Sequence, residues 1–347
     1  MEKSNETGAM GNASGCAPVV SLVVPCYCEE EMLPASIPVL TGVLDDMIRD
    51  GVADPASEVI LVDDGSTDGT WEIIKAAHAS SPMIRGVRLL SNRGQANAHI
   101  AGFEASKGDF IITIDADLQD DVSAIRTMVM DFRNGIDVVY GVKKARTTDT
   151  FFKRFSAQMF YKLMAFFGVD LIYNHSSFRG MSRQVLEALG RYREKSLFIH
   201  GLVRQLGFRS SIVYYDRRRR EAGETKFSLR KMIAMAIFGI TSFTFVPLRL
   251  VTILGLGLCA WSFVLIVWIL FAKYVSHTAI PGWASMLVVL SVFGGVQLFC
   301  LGIIGEYLAI IFNEVKDRPR FHVAETTESG PAPRFGANTN ETCGGRL

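Results

Sequence analysis

The run Asp115-Ala116-Asp117-Leu118-Gln119-Asp120-Asp121 directly follows the β-branched stretch Phe110 to Ile114, FIITI. Two carboxylates just past a buried strand can share one hard divalent cation with a diphosphate, because Mg²⁺ or Mn²⁺ prefers oxygen ligands and keeps positions open for substrate phosphates. Such a cation stabilises a nucleoside diphosphate as it departs. Two further polar clusters follow apolar runs: Pro25-Cys26-Tyr27-Cys28-Glu29-Glu30 after PVVSLVVP, and Asp63-Asp64-Gly65-Ser66-Thr67-Asp68 after EVILV. Turn and cap chemistry accounts for Asp68, and Asp120 and Asp121 suit the cap of a helix beginning near Val122.

The elements behind these clusters are legible. Pro18 to Pro25, Glu58 to Val62, Ile84 to Leu90 and Phe110 to Ile114 are short β-branched runs separated by helix-length segments. Asp68 to His78 and Gln95 to Lys107 carry helical patterns. The alternation predicts an α/β domain with a largely parallel sheet, whose ligands sit beyond the carboxyl ends of the strands, where all three clusters fall. Neither G-x-G-x-x-G after the first strand nor G-x-x-x-x-G-K-[ST] occurs, which removes the main support for dinucleotide and P-loop readings.

With 36 Lys+Arg against 35 Asp+Glu in 347 residues, overall charge gives no sign of a nucleic-acid partner. Six irregularly spaced cysteines give no disulfide framework, and Cys26-x-Cys28 lacks a second cluster to complete a zinc site. Residues 1–18 and the stretch from His322 onward have the composition of disordered termini.

Apolar residues concentrate near the C-terminus. Leu250 to Ala272 and Trp283 to Gly305 contain no charge and are each long enough to cross a bilayer, with Pro281-Gly282 between them and Glu306 at the end of the second. Basic residues flank the outer ends of this pair, so the positive-inside rule places both chain ends in the cytoplasm of an inner or plasma membrane. Phe227 to Phe245 reads as an interfacial helix with its cations toward anionic head groups. The expected organisation is a tail over 1–18, a catalytic domain over 19–226, an interfacial amphipathic helix over 227–246, a transmembrane hairpin over 247–312 and a cytoplasmic tail over 313–347.

Together, VVPCYCEE, ILVDDGSTDGT, GDFIITIDADLQDD, VVYGVKKAR, NHSSFRGMSR, REAGETKFSLRKM and FGITSFTFVPLRL resemble family 2 glycosyltransferases that load a sugar onto a polyprenyl phosphate. These include dolichyl-phosphate mannose synthases and bactoprenol glucosyltransferases. The resemblance implies a GT-A fold, a nucleotide-sugar donor with UDP-glucose as first choice, a polyprenyl phosphate acceptor, Mg²⁺ or Mn²⁺ as cofactor, and a tendency to assemble into homo-oligomers. It also implies that Pro25, Tyr27 and Glu29 line the nucleotide pocket, that Asp63 reads the base, and that Asp115 and Ala116 border the ribose and diphosphate. Asp117 and Gln119 match the metal-binding pair, and Lys143 a phosphate contact. Arg179 stands in the Phe-Arg motif, Arg220 and Lys226 match the basic pair around the donor diphosphate and acceptor phosphate, and these three with Asp117 are the implied catalytic residues. Convergent cations there would offset repulsion between an anionic nucleophile and an anionic donor.

Four positions depart from the pattern. Cys28 stands where Asn is usual, Ser177 where close relatives have Asp, His200 where Arg is common, and Phe238 where Asp often occurs. Each removes a polar function, and these losses motivate one rival reading, a catalytically silent nucleotide-sugar-binding membrane module. A processive polysaccharide synthase is a second rival, but the soluble region after Asp117 lacks tryptophan and hence that class's Gln-x-x-Arg-Trp motif.

Overall fold

A computed structural model of the chain describes residues 16–143, 175–192, 199–215, 246–274, 282–316 and 318–328. The described residues fall into two compact units, one α/β and one made of two long helices.

The α/β unit is built on strands β1 (Val20–Cys26), β2 (Glu58–Asp63), β3 (Ile84–Leu89), β4 (Phe110–Thr113), β5 (Val138–Lys143), β6 (His175–Ser182), β7 (Ser210–Tyr215) and β8 (Val323–Thr326). They form one sheet in the order β7-β5-β6-β4-β1-β2-β3-β8. β1 pairs parallel with β2 and β4, and β2 with β3. β6 runs antiparallel between β4 and β5, and β7 runs parallel to β5. The sheet is therefore mixed, with its four expected strands forming the parallel centre. Every residue of β2 and β4 is buried, which explains why these strands read as continuous apolar runs.

Helices α1 (Leu33–Arg49), α2 (Thr70–Ser80), α3 (Gln95–Ala105), α4 (Ser123–Arg133), α5 (Arg183–Gly190) and α6 (Ile199–Gln205) pack around this sheet. Leu33, Ile37, Leu40, Leu44 and Met47 of α1 recur at helical spacing and are buried. They join Trp71 and Ile74 of α2, Ile125 and Met128 of α4, and Leu22, Val24, Leu61 and Ile112 of the strands in one core. Each fully buried aliphatic side chain contributes about 1.5–3 kcal/mol. α3 lies on the opposite face, where a Cβ on Gly102 would sit 2.2 Å from Val23 Cγ1.

The stretch from His322, expected to be disordered, instead supplies β8, antiparallel to β3. Its few apolar residues do not hold it alone. Trp71 Nε1 donates to Glu325 Oε2 at 2.9 Å, Gly86 N donates to Thr327 Oγ1 at 2.9 Å, and Glu328 pairs with Arg85 and Lys107.

The second unit contains α7 (Val246–Tyr274) and α8 (Trp283–Val315), which cover both expected apolar spans. Val292–Val315 is long and apolar enough to cross a membrane, and a shorter apolar stretch, Val251–Val264, lies in α7. Leu256, Phe263, Leu290 and Leu298 are each more than 60% exposed, so the apolar faces of both helices are left uncovered by the described residues. Glu306, expected to end the second span, lies inside α8, which continues to Val315. The expected interfacial helix over 227–246 falls almost wholly outside the described residues.

Candidate active site

The strand directions bring several chain segments to one edge of the sheet. The carboxyl ends of β1, β2, β4, β5 and β7 all lie there, and antiparallel β6 begins there. This edge gathers the Cys26–Glu30, Asp63–Asp68 and Asp115–Asp121 clusters with Lys143, Ser177 and Tyr215. The sequence places Arg220 five residues after β7 ends at Tyr215, but Arg220 and Lys226 lie outside the described residues.

The acidic loop after β4 is held from several sides. Asp115 Oδ1 accepts from Gln95 Nε2 at 2.7 Å and from Ser177 Oγ at 2.9 Å. Burial pushes the Asp115 carboxyl up to about 6, the charges of Asp120 and Asp117 act in the same direction, and the Ser177 bond and Lys143 oppose it. The carbonyl of buried Ala116 accepts from Ser36 Oγ of α1 at 2.7 Å. Asp117 is half-buried, and its Oδ1 accepts from Gln119 N at 3.3 Å across Leu118, whose φ is +47°. A left-handed non-glycine residue costs about 1–2 kcal/mol and persists only where its surroundings demand it. Gln119 is buried.

Asp120 corrects the expectation of a helix cap. It is buried, accepts from Tyr215 Oη at 2.5 Å and lies 3.7 Å from Lys143 Nζ. Lys143, expected to contact phosphate, thus has a carboxylate partner at the rim. Asp121 makes a local bond at the start of α4, its Oδ1 accepting from Ser123 N at 3.0 Å, while Val122 holds the N-cap position.

The turn after β2 is equally organised. Asp63 is fully buried, accepts from Ser66 N at 2.8 Å through Oδ1, and presents Oδ2 3.4 Å from Arg88 Nε. Asp64 receives the backbone N–H groups of Arg93 and Gly94 at 2.7 and 2.8 Å, and burial raises its carboxyl above the usual range. Asp68 bonds Thr70 N and Oγ1 through Oδ1, the local role expected for it. After β1, Pro25 ends in the sheet, Tyr27 is 48% exposed and Glu29 N donates to Thr70 Oγ1 at 2.9 Å. Cys28 N donates to Ser66 Oγ at 2.9 Å, and Cys28 has φ +54°. Asn adopts that conformation more readily than Cys, which gives the departure at this position a backbone consequence.

Arg179 is not at the rim surface. It is buried in β6 opposite Thr113 and Tyr140, and burial lowers its guanidinium to about 10 while Tyr140 opposes the shift. His99 of α3 is buried nearby and held neutral, its imidazole lowered to about 3 by burial and by the Arg179 charge. The backbone of His200 lies in α6, and Phe238 lies outside the described residues.

Among the described residues, no group of three or more His, Cys, Asp or Glu side chains could hold a metal alone. A small donor set built around Asp117 fits an ion such as Mg²⁺, which takes few protein oxygens and completes its shell from phosphate and water.

Residues 21–190 match Glycosyl transferase family 2. The uncharacterized glycosyltransferase YkoT of Bacillus subtilis is 44% identical over 308 residues, covering 88% of this chain and 91% of its own. The chain belongs to glycosyl transferase family 2. Within that family, the bactoprenol glucosyl transferase of Shigella phage SfX is 36% identical over 305 residues, covering 87% of this chain and 97% of its own. Among solved structures, glucosyl-3-phosphoglycerate synthase of Mycobacterium tuberculosis is 19% identical, with a TM-score of 0.44 and coverage of 65% of this chain and 76% of that one. The mixed α/β sheet of this family 2 glycosyltransferase, in the strand order given above, is of the GT-A type implied by its motifs.

Gln95, Ser177, Asp120, Tyr215 and Arg88 complete this edge and were not singled out from sequence for these contacts. Gln95 had a local signal, since it opens the helix after Gly94. The others depend on strand pairing that composition does not encode.

Proposed function

We propose that this glycosyltransferase moves a hexose, glucose from UDP-glucose in the first instance, to a polyprenyl phosphate at the cytoplasmic face of a membrane. The observation that carries this reading is the convergence of the Asp115–Gln119 loop, the Asp63–Asp68 turn and the Cys26–Glu30 loop on one sheet edge. Support for the acceptor class comes from bactoprenol glucosyl transferases that align over nearly their whole length.

In this reading Pro25, Tyr27 and Glu29 flank the nucleotide, with Asp63 organising the base-side turn. Asp115, with Ala116, accepts ribose hydroxyls in its ionised state. Asp117 and Gln119 hold Mg²⁺ or Mn²⁺, which when bound neutralises charge developing on the diphosphate. Lys143, Arg220 and Lys226 meet the phosphates of donor and acceptor, while Arg179 supports the strand that carries Ser177. An acceptor phosphate oxygen attacks the anomeric carbon, the bond to the diphosphate breaks, and its electron pair leaves with the nucleotide. One displacement inverts the anomeric centre. The phosphate monoester is already anionic, so no residue must deprotonate it.

Two membrane-crossing helices, α7 and α8, would keep the enzyme at the bilayer, which suits a lipid acceptor costing about 0.8 kcal/mol per CH₂ to withdraw. Membranes containing the protein, supplied with undecaprenyl phosphate and a panel of nucleotide sugars, should yield a lipid whose mass has grown by one hexose. A product mass unchanged across the panel would overturn the reading.

A further inference from the structure

The strand that follows α8 in the chain is joined to the candidate donor site by two routes. β8 pairs antiparallel with β3, placing Glu325 opposite Arg88 and Thr326 opposite Val87. In the first route, Glu325 Oε2 receives Trp71 Nε1, the Arg88 guanidinium lies 5.9 Å over the Trp71 ring, and Arg88 Nε reaches within 3.4 Å of Asp63 Oδ2. That oxygen is buried and accepts no hydrogen bond among the described residues, so Arg88 supplies its counter-charge. In the second route, Leu90 N donates to the His322 carbonyl at 2.9 Å just past β3. The following residues close on the acidic clusters: Arg93 and Gly94 donate to Asp64, and Gln95 donates to Asp115.

We propose that residues 322–328 are a positioning strap for the nucleotide-sugar site, with Glu325 and Thr327 as positioning residues that act through Trp71, Arg88 and the 90–95 loop. This rests on the glycosyl-transfer reading above and adds a role for a segment carrying none of the motifs that support it. An undocked β8 would leave Arg88 without its Trp71–Glu325 support and the end of β3 without its partner, loosening both acidic turns while the residues of the reacting centre remain.

Two full-length variants test the strap. Thr327→Pro removes the N–H that donates to Gly86 O at 3.1 Å, and Glu325→Gln weakens the contact to Trp71. Amide exchange over 318–328 reports undocking. UDP affinity by calorimetry, with KM and kcat for the donor found active in the panel, reports the site. The expected result is faster exchange in β8, donor KM raised about fivefold, UDP affinity reduced by the same factor and kcat within about twofold of the parent. Unchanged UDP affinity and KM in a variant whose β8 amides are released would overturn the proposal. So would a fall confined to kcat, or β8 protection retained in both variants. If Thr327→Pro fails to accumulate, Glu325→Gln decides alone. A parent protein that neither binds UDP nor transfers sugar would instead count against the functional reading.

Discussion

Ser177 Oγ donates a 2.9 Å hydrogen bond to Asp115 Oδ1, tying the start of β6 to the loop after β4. Position 177 therefore carries a donor that favours the ionised form of a neighbouring carboxylate. Removing it should be visible in pH behaviour. Ser177→Ala is expected to raise the Asp115 carboxyl beyond about 6 and move the acid limb of kcat/KM to higher pH. An acid limb that stays in place would show that Asp115 does not act as an anion.

Asp115 also predicts a stability effect. Its folded value of about 6 lies above the ordinary 3.8, chiefly through burial, so between these values the folded protein binds more protons than the unfolded one. Stability contributed at this site consequently falls as pH rises through that window, by up to roughly 3 kcal/mol. Asp115→Asn keeps a carbonyl acceptor for Gln95 and Ser177 without the charge. It should raise Tm at pH 7.5 in the absence of divalent cations, with the gain fading as pH falls toward 4.

Asp117→Ala should reduce sugar transfer into organic-extractable lipid by about a hundredfold or more while leaving Tm nearly unchanged, since the side chain is half-buried and accepts a local bond from Gln119 N. Substantial transfer by this variant would remove Asp117 from the metal site.

Cys28 occupies φ +54° and is exposed. Cys28→Asn should stabilise the protein by about 0.5–1 kcal/mol, because Asn tolerates the left-handed region. Thermal unfolding measures the gain, and a lower Tm would show that the Cys28 thiol contributes more than its backbone costs.

Gly65 has φ +68°, and a Cβ there would stand 2.6 Å from the backbone carbon of Ser91. The obstacle is main chain, so the Asp63–Asp68 turn and the loop after β3 must separate to admit it. Gly65→Ala should raise donor KM about tenfold, equivalent to about 1.4 kcal/mol. Donor titration of the purified variant checks this.

The parallel centre of the sheet was legible because β1, β2 and β4 are buried on both faces and so are built on largely apolar, β-branched runs. β6, with the sequence HSSFRGMS, was not. Its standing depends on pairing with β4 and β5, and Gly180 leaves room for the Phe110 ring, whose nearest atom would lie 2.1 Å from a Cβ. β8 was hidden because four residues with little apolar content are held by distant partners, including Trp71. Asp117 stood out through its local spacing to Asp115, whereas Asp120 resembled a cap because Tyr215, its partner, lies 95 residues away. The sequence resemblance singled out Arg179 as catalytic, and the structure adds its burial in β6, a feature of tertiary packing that the motif alone does not display.

The position of β8 in the chain has a consequence for biosynthesis. β3 is a margin of the sheet until β8 arrives, and β8 is translated after both long apolar helices. A nascent α/β unit emerging from the ribosome thus carries an unsealed edge, open to adventitious pairing, until nearly the whole polypeptide has been made. Completion of the sheet is deferred until after synthesis of the two long apolar helices, which couples maturation of the α/β unit to the making of nearly the whole chain.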